Sequence, residues 1–152
     1  MQLSIMLESA LESVLKTDTI TSKMFGGVLA RDELPKQVAY PSCYIINTKP
    51  RNHRGEHWMA IFYDHNGDAN FFDSYGHHPN HFNLKSFLDH TARSWSFNQK
   101  RIQGMSSYCG YYCLLYLLLR ARNKSKTFFS YFTNNSLLND KKVNHYINLF
   151  KK

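Results

Sequence analysis

The most informative part of the sequence is HWMAIFYDHNGDANFFD, which runs from residue 57 to residue 73. Its first part, 57–63, is apolar and aromatic, as is typical of a β-strand. Asn66-Gly67 is a dipeptide preferred in tight hairpin turns, and residues 69–73 predict a second strand after it. The strands of a hairpin are antiparallel, so the start of one lies beside the end of the other. We therefore expect His57 and Asp73 to be neighbours in space.

Other elements are predicted on both sides of this hairpin. Apolar residues at helical spacing indicate an amphipathic helix over residues 3–15, and paired glycines indicate a turn at 25–28. A long apolar helix is predicted from Cys109 to Arg122. The remaining predictions are strands at 38–48 and 94–102, a polar loop at 49–56, and helices at 80–93, 127–132 and 139–150. Together they predict one α+β domain over residues 1–152.

The positive charge is concentrated at one end of the chain. The 152 residues carry 19 Lys and Arg against 11 Asp and Glu, a formal net charge of +8. Residues 120–152 alone hold eight of these bases and one acid, a net +7. This asymmetry suggests a polyanionic partner, but by itself it does not indicate any chemistry.

Several classes of protein are excluded by the composition. The longest apolar run, 114–119, is far shorter than the roughly 20 residues that cross a bilayer. Residues 1–15 contain Glu8 and Glu12 and lack a basic leader, so they do not predict a signal peptide. Three cysteines without CxxC pairs argue against a disulfide scaffold or a zinc site and favour a reducing compartment.

Cys109 has the clearest potential for chemistry. It stands at the predicted N-terminus of the helix 109–122 and is followed by Gly110. Free N–H groups and the partial positive charge of a helix N-terminus stabilise a thiolate, which is the nucleophilic form of cysteine. The alternative is that Cys109, like Cys43 and Cys113, is one more small buried apolar residue.

A cysteine nucleophile requires a base, and His57 is the strongest candidate among the eight histidines. It begins an apolar strand beside Trp58, whereas its nearest rival, His53, lies within a polar loop. Four other histidines lie in polar, turn-like stretches and are expected at the surface: His65, His77, His78 and His81. The base also needs a carboxylate to fix its tautomer, and the hairpin supplies Asp73.

Gln103 is a candidate oxyanion donor. It stands six residues before Cys109, directly before a predicted turn at Gly104. A side-chain amide in this place can donate a hydrogen bond to a developing oxyanion, beside the backbone N–H of Cys109. A loop glutamine that faces water is the ordinary alternative, and only the combination with His57 and Asp73 favours the catalytic interpretation.

The order of these residues resembles the adenovirus-type maturation proteases, the adenain family. It is also similar to the related proteases that process SUMO and other ubiquitin-like proteins. The matching stretches are CYIINT at 43–48, GEHWMA at 55–60, FDSYG at 72–76 and IQGMSSYCGYYC at 102–113. Four motifs in this order, within about residues 25–120, are more specific than any one of them.

The resemblance implies a papain-like cysteine protease core of the adenain type. In that fold a central mixed sheet is flanked by helices, and the catalytic cysteine lies at a helix N-terminus. The resemblance assigns His57 as general base, Asp73 as its orienting acid, Cys109 as nucleophile and Gln103 as oxyanion donor.

The resemblance also implies how substrate binds. Trp58 would help to line a narrow channel that admits glycine before the scissile bond, and Gly104 and Ser107 are assigned to substrate binding as well. No metal and no small-molecule cofactor is implied. The expected reaction is cleavage after glycine in short Gly-containing motifs, through an acyl-enzyme.

Two features of adenain are not matched. Adenain has Glu at the acid position, whereas Asp73 followed by Ser74 looks more like the SUMO proteases. Adenain is also activated by a peptide that is tethered by a disulfide to a cysteine between the acid and the glutamine. Residues 74–102 contain no cysteine, which excludes that tether. An activating peptide would therefore bind without a covalent bond.

The basic segment has two interpretations. Because adenain uses DNA as a cofactor, the resemblance favours a nucleic-acid contact, and the alternative is a solvated face. The candidate phosphate-binding residues are Arg120, Arg122, Lys124, Lys126, Lys141 and Lys142.

Three functions follow from the sequence, in descending order of support. The first is a monomeric cysteine endopeptidase that matures viral capsid or core precursor proteins, in the virion and the host nucleus. The second is a protease that removes SUMO or ubiquitin-like modifiers, in a reducing intracellular compartment. The third is a non-catalytic basic module that binds nucleic acid. None of the three involves a membrane.

Overall fold

The predicted hairpin forms the centre of a five-stranded sheet. A computed structural model of the protein describes residues 2–51 and 57–150. The strands are β1 (Phe25–Leu29), β2 (Ser42–Asn47), β3 (Trp58–Tyr63), β4 (Asp68–Phe72) and β5 (Ser94–Phe97). The helices are α1 (Gln2–Thr17), α2 (Lys85–Thr91), α3 (Cys109–Ala121), α4 (Ser125–Tyr131) and α5 (Ser136–Phe150).

The sheet is mixed, and its spatial order follows the chain from β1 to β5. The central strands β2, β3 and β4 are antiparallel, and each edge strand is parallel to its neighbour. In the hairpin, Ala60 is opposite Phe72. This register places His57, which precedes β3, and Asp73, which follows β4, at the same end of the two strands, as the sequence predicts.

The alternation of side chains along β3 divides the core into two layers. Trp58, Ala60 and Phe62 belong to the larger cluster, which also includes the buried residues of α1, α3, α4 and α5. Met59 and Ile61 belong to the smaller cluster, which includes Leu88 of α2. All six residues of β3 are buried, because helices cover the sheet on both faces.

The predicted turn at 25–28 is wrong, because this segment is the edge strand β1. Its glycines do not form a bend but allow a neighbouring side chain to pack closely against the strand. A Cβ atom at Gly26 would lie 2.2 Å from the ring of Tyr44, so glycine lets this ring lie against the strand. Cross-strand contact with β2 therefore determined the structure of a segment whose local sequence favours a turn.

The other predicted elements exist with different bounds. The helix predicted at 80–93 is divided at Asn83, which has a left-handed backbone (φ 58°) between a short 3₁₀ turn and α2. The predicted strands at 38–48 and 94–102 shorten to β2 and β5. The predicted loop 49–56 lies partly outside the described residues. Within the described part of the chain, no helix is long and apolar enough to span a bilayer.

Candidate active site

The first residue of α3 is Cys109, as predicted. Its thiol is buried beneath the start of β3, where the backbone N–H of Trp58 donates a hydrogen bond to Cys109 Sγ at 3.4 Å. The first N–H groups of any helix have no partner within the helix, and the helix dipole is positive at this end. Both effects place partial positive charge beside Cys109 Sγ and provide donors for an oxyanion there.

His57 and Asp73 form a buried hydrogen-bonded pair. The imidazole Nε2 of His57 contacts Asp73 Oδ1, and the Asp73 side chain is 0% exposed. This contact confirms that the hairpin makes the two residues neighbours. Since Nε2 is used by Asp73, the other ring nitrogen, Nδ1, is the one left for the thiol of Cys109. The three residues assigned to a catalytic triad are thus brought together.

The pair is electrostatically coupled. Burial acts to lower the pKa of His57, but hydrogen bonds with Asp73 and with Cys109 outweigh it and raise this pKa to about 9. Burial acts to raise the pKa of Asp73, and the hydrogen bond and the charge of His57 overcome it, so this pKa is lowered. The geometry therefore favours an imidazolium–carboxylate pair at neutral pH.

Two further residues hold Asp73, and sequence reasoning missed both. The amide of Asn98 pairs with the Asp73 main chain, accepting from its N–H at 3.0 Å and donating to its carbonyl at 2.7 Å. The backbone N–H of His77 donates to Asp73 Oδ2 at 3.1 Å. His77 was expected to be a surface residue, and its side chain is indeed 41% exposed, although its Nδ1 also lies 3.1 Å from the same oxygen.

Two aromatic rings pack against the imidazole of His57. The ring of Tyr75 stacks on it at 4.7 Å between centroids, and the ring of Phe82 lies at 5.9 Å. The guanidinium of Arg101 in turn lies 4.9 Å from the centroid of Tyr75. These contacts restrict the rotation of the His57 ring. The sequence carries a signal for Tyr75 alone, since it falls within the matched FDSYG motif.

Gln103 is buried (1% exposed) and joins two parts of the site. Its Oε1 accepts a hydrogen bond from the hydroxyl of Ser74, which follows Asp73. Its Nε2 donates to the carbonyl of Ser106 at 2.9 Å and lies 3.2 Å from the Ser106 hydroxyl. An oxyanion would therefore have to replace one of these bonds, and the predicted role of Gln103 stays a prediction.

The three residues assigned to substrate binding differ in exposure. Ser107 is exposed, whereas Trp58 is only 4% exposed and belongs to the larger core cluster. A Cβ atom at Gly104 would lie 2.6 Å from the hydroxyl of Ser136, which begins α5. Glycine therefore lets the loop before Cys109 approach that helix. A role for any of the three in binding substrate stays a prediction.

The other two cysteines are buried and unpaired, as expected. Cys113 lies one turn after Cys109, and its thiol donates to the carbonyl of Trp58 at 3.3 Å. Burial raises the pKa of the Cys113 thiol and raises that of Cys43 to about 12. Neither thiol is therefore suited to act as a nucleophile at neutral pH.

Two cavities flank the site. A cleft of about 630 Å³ opens beside His57, and a smaller cavity of about 320 Å³ lies against Gln103 and Gly104. Among the described residues, no group of three His, Cys, Asp or Glu side chains is placed to hold a metal ion.

The predicted phosphate-binding residues divide into two groups. Arg120 donates to Asn70 at 2.9 Å, and Arg122 forms a half-buried ion pair with Asp18 at 2.6 Å. Lys142 donates to the carbonyl of Tyr131 at 2.8 Å. These three side chains are therefore engaged in contacts within the fold. Three others are exposed and remain available to a partner: Lys124, Lys126 and Lys141.

Comparison with solved structures identifies the fold. ChlaDub1 from Chlamydia trachomatis matches with a TM-score of 0.53 and 15% identity, over 99% of this chain and 76% of that one. The ASFV pS273R protease matches with a TM-score of 0.43 and 23% identity over 70% of this chain, which spans 45% of that protease. The sequence matches no protein-family model and no curated protein.

The predicted fold class is thus confirmed. The chain has the mixed α+β fold of papain-like cysteine proteases of the SUMO- and ubiquitin-protease type, with Cys109 at the N-terminus of a helix. At this level of identity the likeness concerns the fold, and the chemistry rests on the side chains described above.

Proposed function

We propose that the protein is a cysteine endopeptidase that cuts after glycine and matures viral capsid or core precursors. The observation that carries this proposal is the contact between the buried His57–Asp73 pair and Cys109 at the start of α3. A nucleophile, a base and an orienting carboxylate in this arrangement are the elements of thiol-protease chemistry.

The first half of the reaction is acylation. The thiolate of Cys109 attacks the carbonyl carbon of the scissile peptide bond, and a C–S bond forms while the carbonyl oxygen becomes an oxyanion. The N–H groups at the start of α3 stabilise this oxyanion, with the amide of Gln103 as a second donor. As the C–N bond breaks, the imidazolium of His57 gives its proton to the leaving amine.

The second half is deacylation. Neutral His57 takes a proton from a water molecule, whose oxygen attacks the thioester carbonyl carbon. The C–S bond breaks, the carboxylic acid product leaves, and Cys109 returns to a thiolate beside the imidazolium. Asp73 stays ionised throughout and keeps Nε2 of His57 bound, which holds Nδ1 towards the sulfur.

Glycine specificity and the viral substrate rest on the resemblance to adenain. So do the proposed locations, the virion and host nucleus, and the absence of a cofactor other than DNA or a non-covalent peptide. The structure offers three exposed lysines for DNA: Lys124, Lys126 and Lys141. DNA-stimulated cleavage should decline steeply with salt if these lysines bind phosphates, and a flat response would leave them a solubilising role only.

A comparison of three proteins tests the enzymatic proposal: wild type, Cys109→Ala and Cys43→Ala. We expect wild type and Cys43→Ala to hydrolyse a fluorogenic Gly-Gly peptide and Cys109→Ala to be inactive. Iodoacetamide at neutral pH should label Cys109, as mass spectrometry would show. Equal hydrolysis by wild type and Cys109→Ala, or an unreactive Cys109, would refute the proposal.

The choice of substrate class needs a second comparison. The same wild-type protein is given capsid-precursor peptides and C-terminal conjugates of SUMO and ubiquitin. We expect the precursor peptides to be cut, with or without added DNA. Turnover of the conjugates alone would instead favour a protease for ubiquitin-like modifiers.

A further inference from the structure

The cleft of about 630 Å³ beside His57 is rich in basic side chains. It is bounded by the end of β2, the start of β3 and the loop that follows β4. Five of its nine described lining residues carry basic groups, and none of the nine is Asp or Glu. The basic five are Arg31, Lys49, His57, His77 and His81. Such a lining attracts a negatively charged group.

Three acidic residues lie close to this lining, and none of them forms an ion pair with Arg31. Glu33 binds the guanidinium of Arg51 at 2.7 Å, and Asp32 accepts from the Arg51 backbone N–H at 2.8 Å. Asp73 is 0% exposed behind His57. Glu33 therefore offsets the charge of Arg51, whereas Asp73 offsets part of the cleft's own basic lining, since it pairs with His57 and His77.

Arg31 is the best-placed cation of the cleft. One of its terminal nitrogens donates to the backbone carbonyl of Asn83 at 2.7 Å, so the guanidinium reaches from one wall of the cleft to the other. The backbone N–H of Arg31 donates to the carbonyl of Lys49 at 2.9 Å, which fixes the main chain of Arg31 beside the end of β2. Within residues 2–51 and 57–150, Arg31 has no ion-pair partner. A guanidinium has five N–H donors, so enough remain for a carboxylate.

The position of His57 determines which half of a substrate enters the cleft. His57 gives its proton to the leaving amine, so the part of the substrate that follows the scissile bond lies on the His57 side. Gln103, the candidate oxyanion donor, and Gly104, a candidate substrate-binding residue, line the other cavity.

We propose that the cleft binds an acidic side chain within the first few residues after the scissile bond, through Arg31. This proposal rests on the proposed protease function, and it adds a substrate class: proteins that carry Asp or Glu after the cleaved glycine. The stacked rings of His77 and His81, 4.2 Å apart, form the exposed wall against which such a segment would lie.

Binding can be tested without catalysis. Fluorescein-labelled peptides that carry Gly-Gly followed by Ala-Glu-Glu, Ala-Gln-Gln or Ala-Lys-Lys are titrated with Cys109→Ala protein. We expect the Glu peptide to bind about tenfold more tightly than the Lys peptide, as a charge contact at a protein surface permits. The difference should shrink in about 0.5 M salt.

A matched pair of substitutions locates the effect. In the Cys109→Ala background, Arg31→Gln should reduce the preference to about twofold or less, because the remaining charges are more distant. Arg93→Gln removes an exposed arginine that pairs with Asp68, at the opposite end of β4 from Asp73, and should leave the preference unchanged. When Cys109 is retained, kcat/KM should show the same preference for the Glu peptide in wild type. This preference should be reduced by Arg31→Gln and unchanged by Arg93→Gln.

The two proposals fail in different ways. Equal binding of the Glu and Lys peptides, or a preference that survives Arg31→Gln, would overturn the acidic-substrate proposal even if the protein hydrolyses Gly-Gly peptides. Selective, Arg31-dependent binding without cleavage of any peptide would instead refute the protease function and leave the cleft as a site that binds acidic peptides.

Discussion

The backbone N–H of Trp58 donates a hydrogen bond to the thiol of Cys109, 3.4 Å away. On the other side of the same residue, the Trp58 carbonyl accepts from Cys113 at 3.3 Å. The start of β3 is thus held between two cysteines one helical turn apart on α3. Since His57 directly precedes Trp58, these bonds keep the imidazole beside the sulfur atom.

Cys113 should support the site without taking part in the chemistry. Cys113→Ala removes the donor to Trp58 and leaves a small cavity, so we expect a loss of about 1–2 kcal/mol in the free energy of unfolding. Activity should stay within about threefold of wild type, because the substitution leaves Cys109 and its labelling by iodoacetamide intact. Urea denaturation and peptide hydrolysis measure the two effects. Loss of activity in a folded Cys113→Ala protein would contradict this view.

Asp73 should be essential for activity. Asp73→Asn keeps the size of the side chain but removes the charge that stabilises the imidazolium and selects its tautomer. We expect kcat to fall by about 10³–10⁴-fold, as in other triads. NMR titration of the His57 ring should show a lower pKa than in wild type, because the charge of Asp73 no longer opposes the effect of burial. An unchanged pKa would show that Asp73 does not set the protonation of His57.

Stability should fall at alkaline pH. The pKa of His57 is raised from 6.5 to about 9, so the protonated ring stabilises the folded state. This contribution is complete below about pH 6.5 and is lost as the pH rises through about 9. The pKa of Asp73 is lowered in the folded state, so its ionised carboxylate also stabilises the fold. This second contribution is lost as the pH falls into the acid range.

Urea denaturation at about pH 6 and about pH 10 measures this loss. The decline in the free energy of unfolding between these two pH values should be smaller in Asp73→Asn than in wild type. The pKa of His57 is raised less in the variant, so less stability is lost when His57 deprotonates. Equal declines in the two proteins would assign the effect to other groups.

Tyr75 should act by positioning His57. Its ring stacks on the imidazole at 4.7 Å, so Tyr75→Ala removes a constraint on the angle of the base. We expect kcat to fall by about tenfold with a smaller change in KM, because misalignment affects the reacting geometry most. Tyr75→Phe keeps the ring and should retain most activity. If Phe were as impaired as Ala, the hydroxyl and not the stack would be responsible.

Gly76 should be intolerant of any side chain. Its φ is +77°, and a Cβ atom would lie 2.8 Å from the carbonyl oxygen of Gln99. We expect Gly76→Ala to cost about 2 kcal/mol or more of stability. Asn tolerates positive φ better than Ala, but it meets the same carbonyl, so Gly76→Asn should also be strongly destabilised. Near-normal stability of Gly76→Asn in thermal melts would show that φ alone constrains this position.

The hairpin and the helix of Cys109 were predictable because their signals are local. The Asn66-Gly67 turn with its flanking strands sets the register of β3 on β4, and this register alone makes His57 and Asp73 neighbours. The failure at 25–28 has a different origin. Two glycines favour a turn locally, but β1 gains hydrogen bonds with β2 and contact with Tyr44, and these outweigh local preference.

The sequence by itself determined the candidate catalytic side chains, their order along the chain, and the α+β class. Only the tertiary structure decided what surrounds them. Asn98 and His77 contact Asp73 from segments whose local patterns carry no catalytic signal, and the FDSYG motif does not reveal that Tyr75 stacks on His57. The basic cleft around Arg31 likewise forms from five separated segments. The physical reason is that these contacts depend on how distant segments meet on the sheet, whereas periodicity and turn preference act over a few residues.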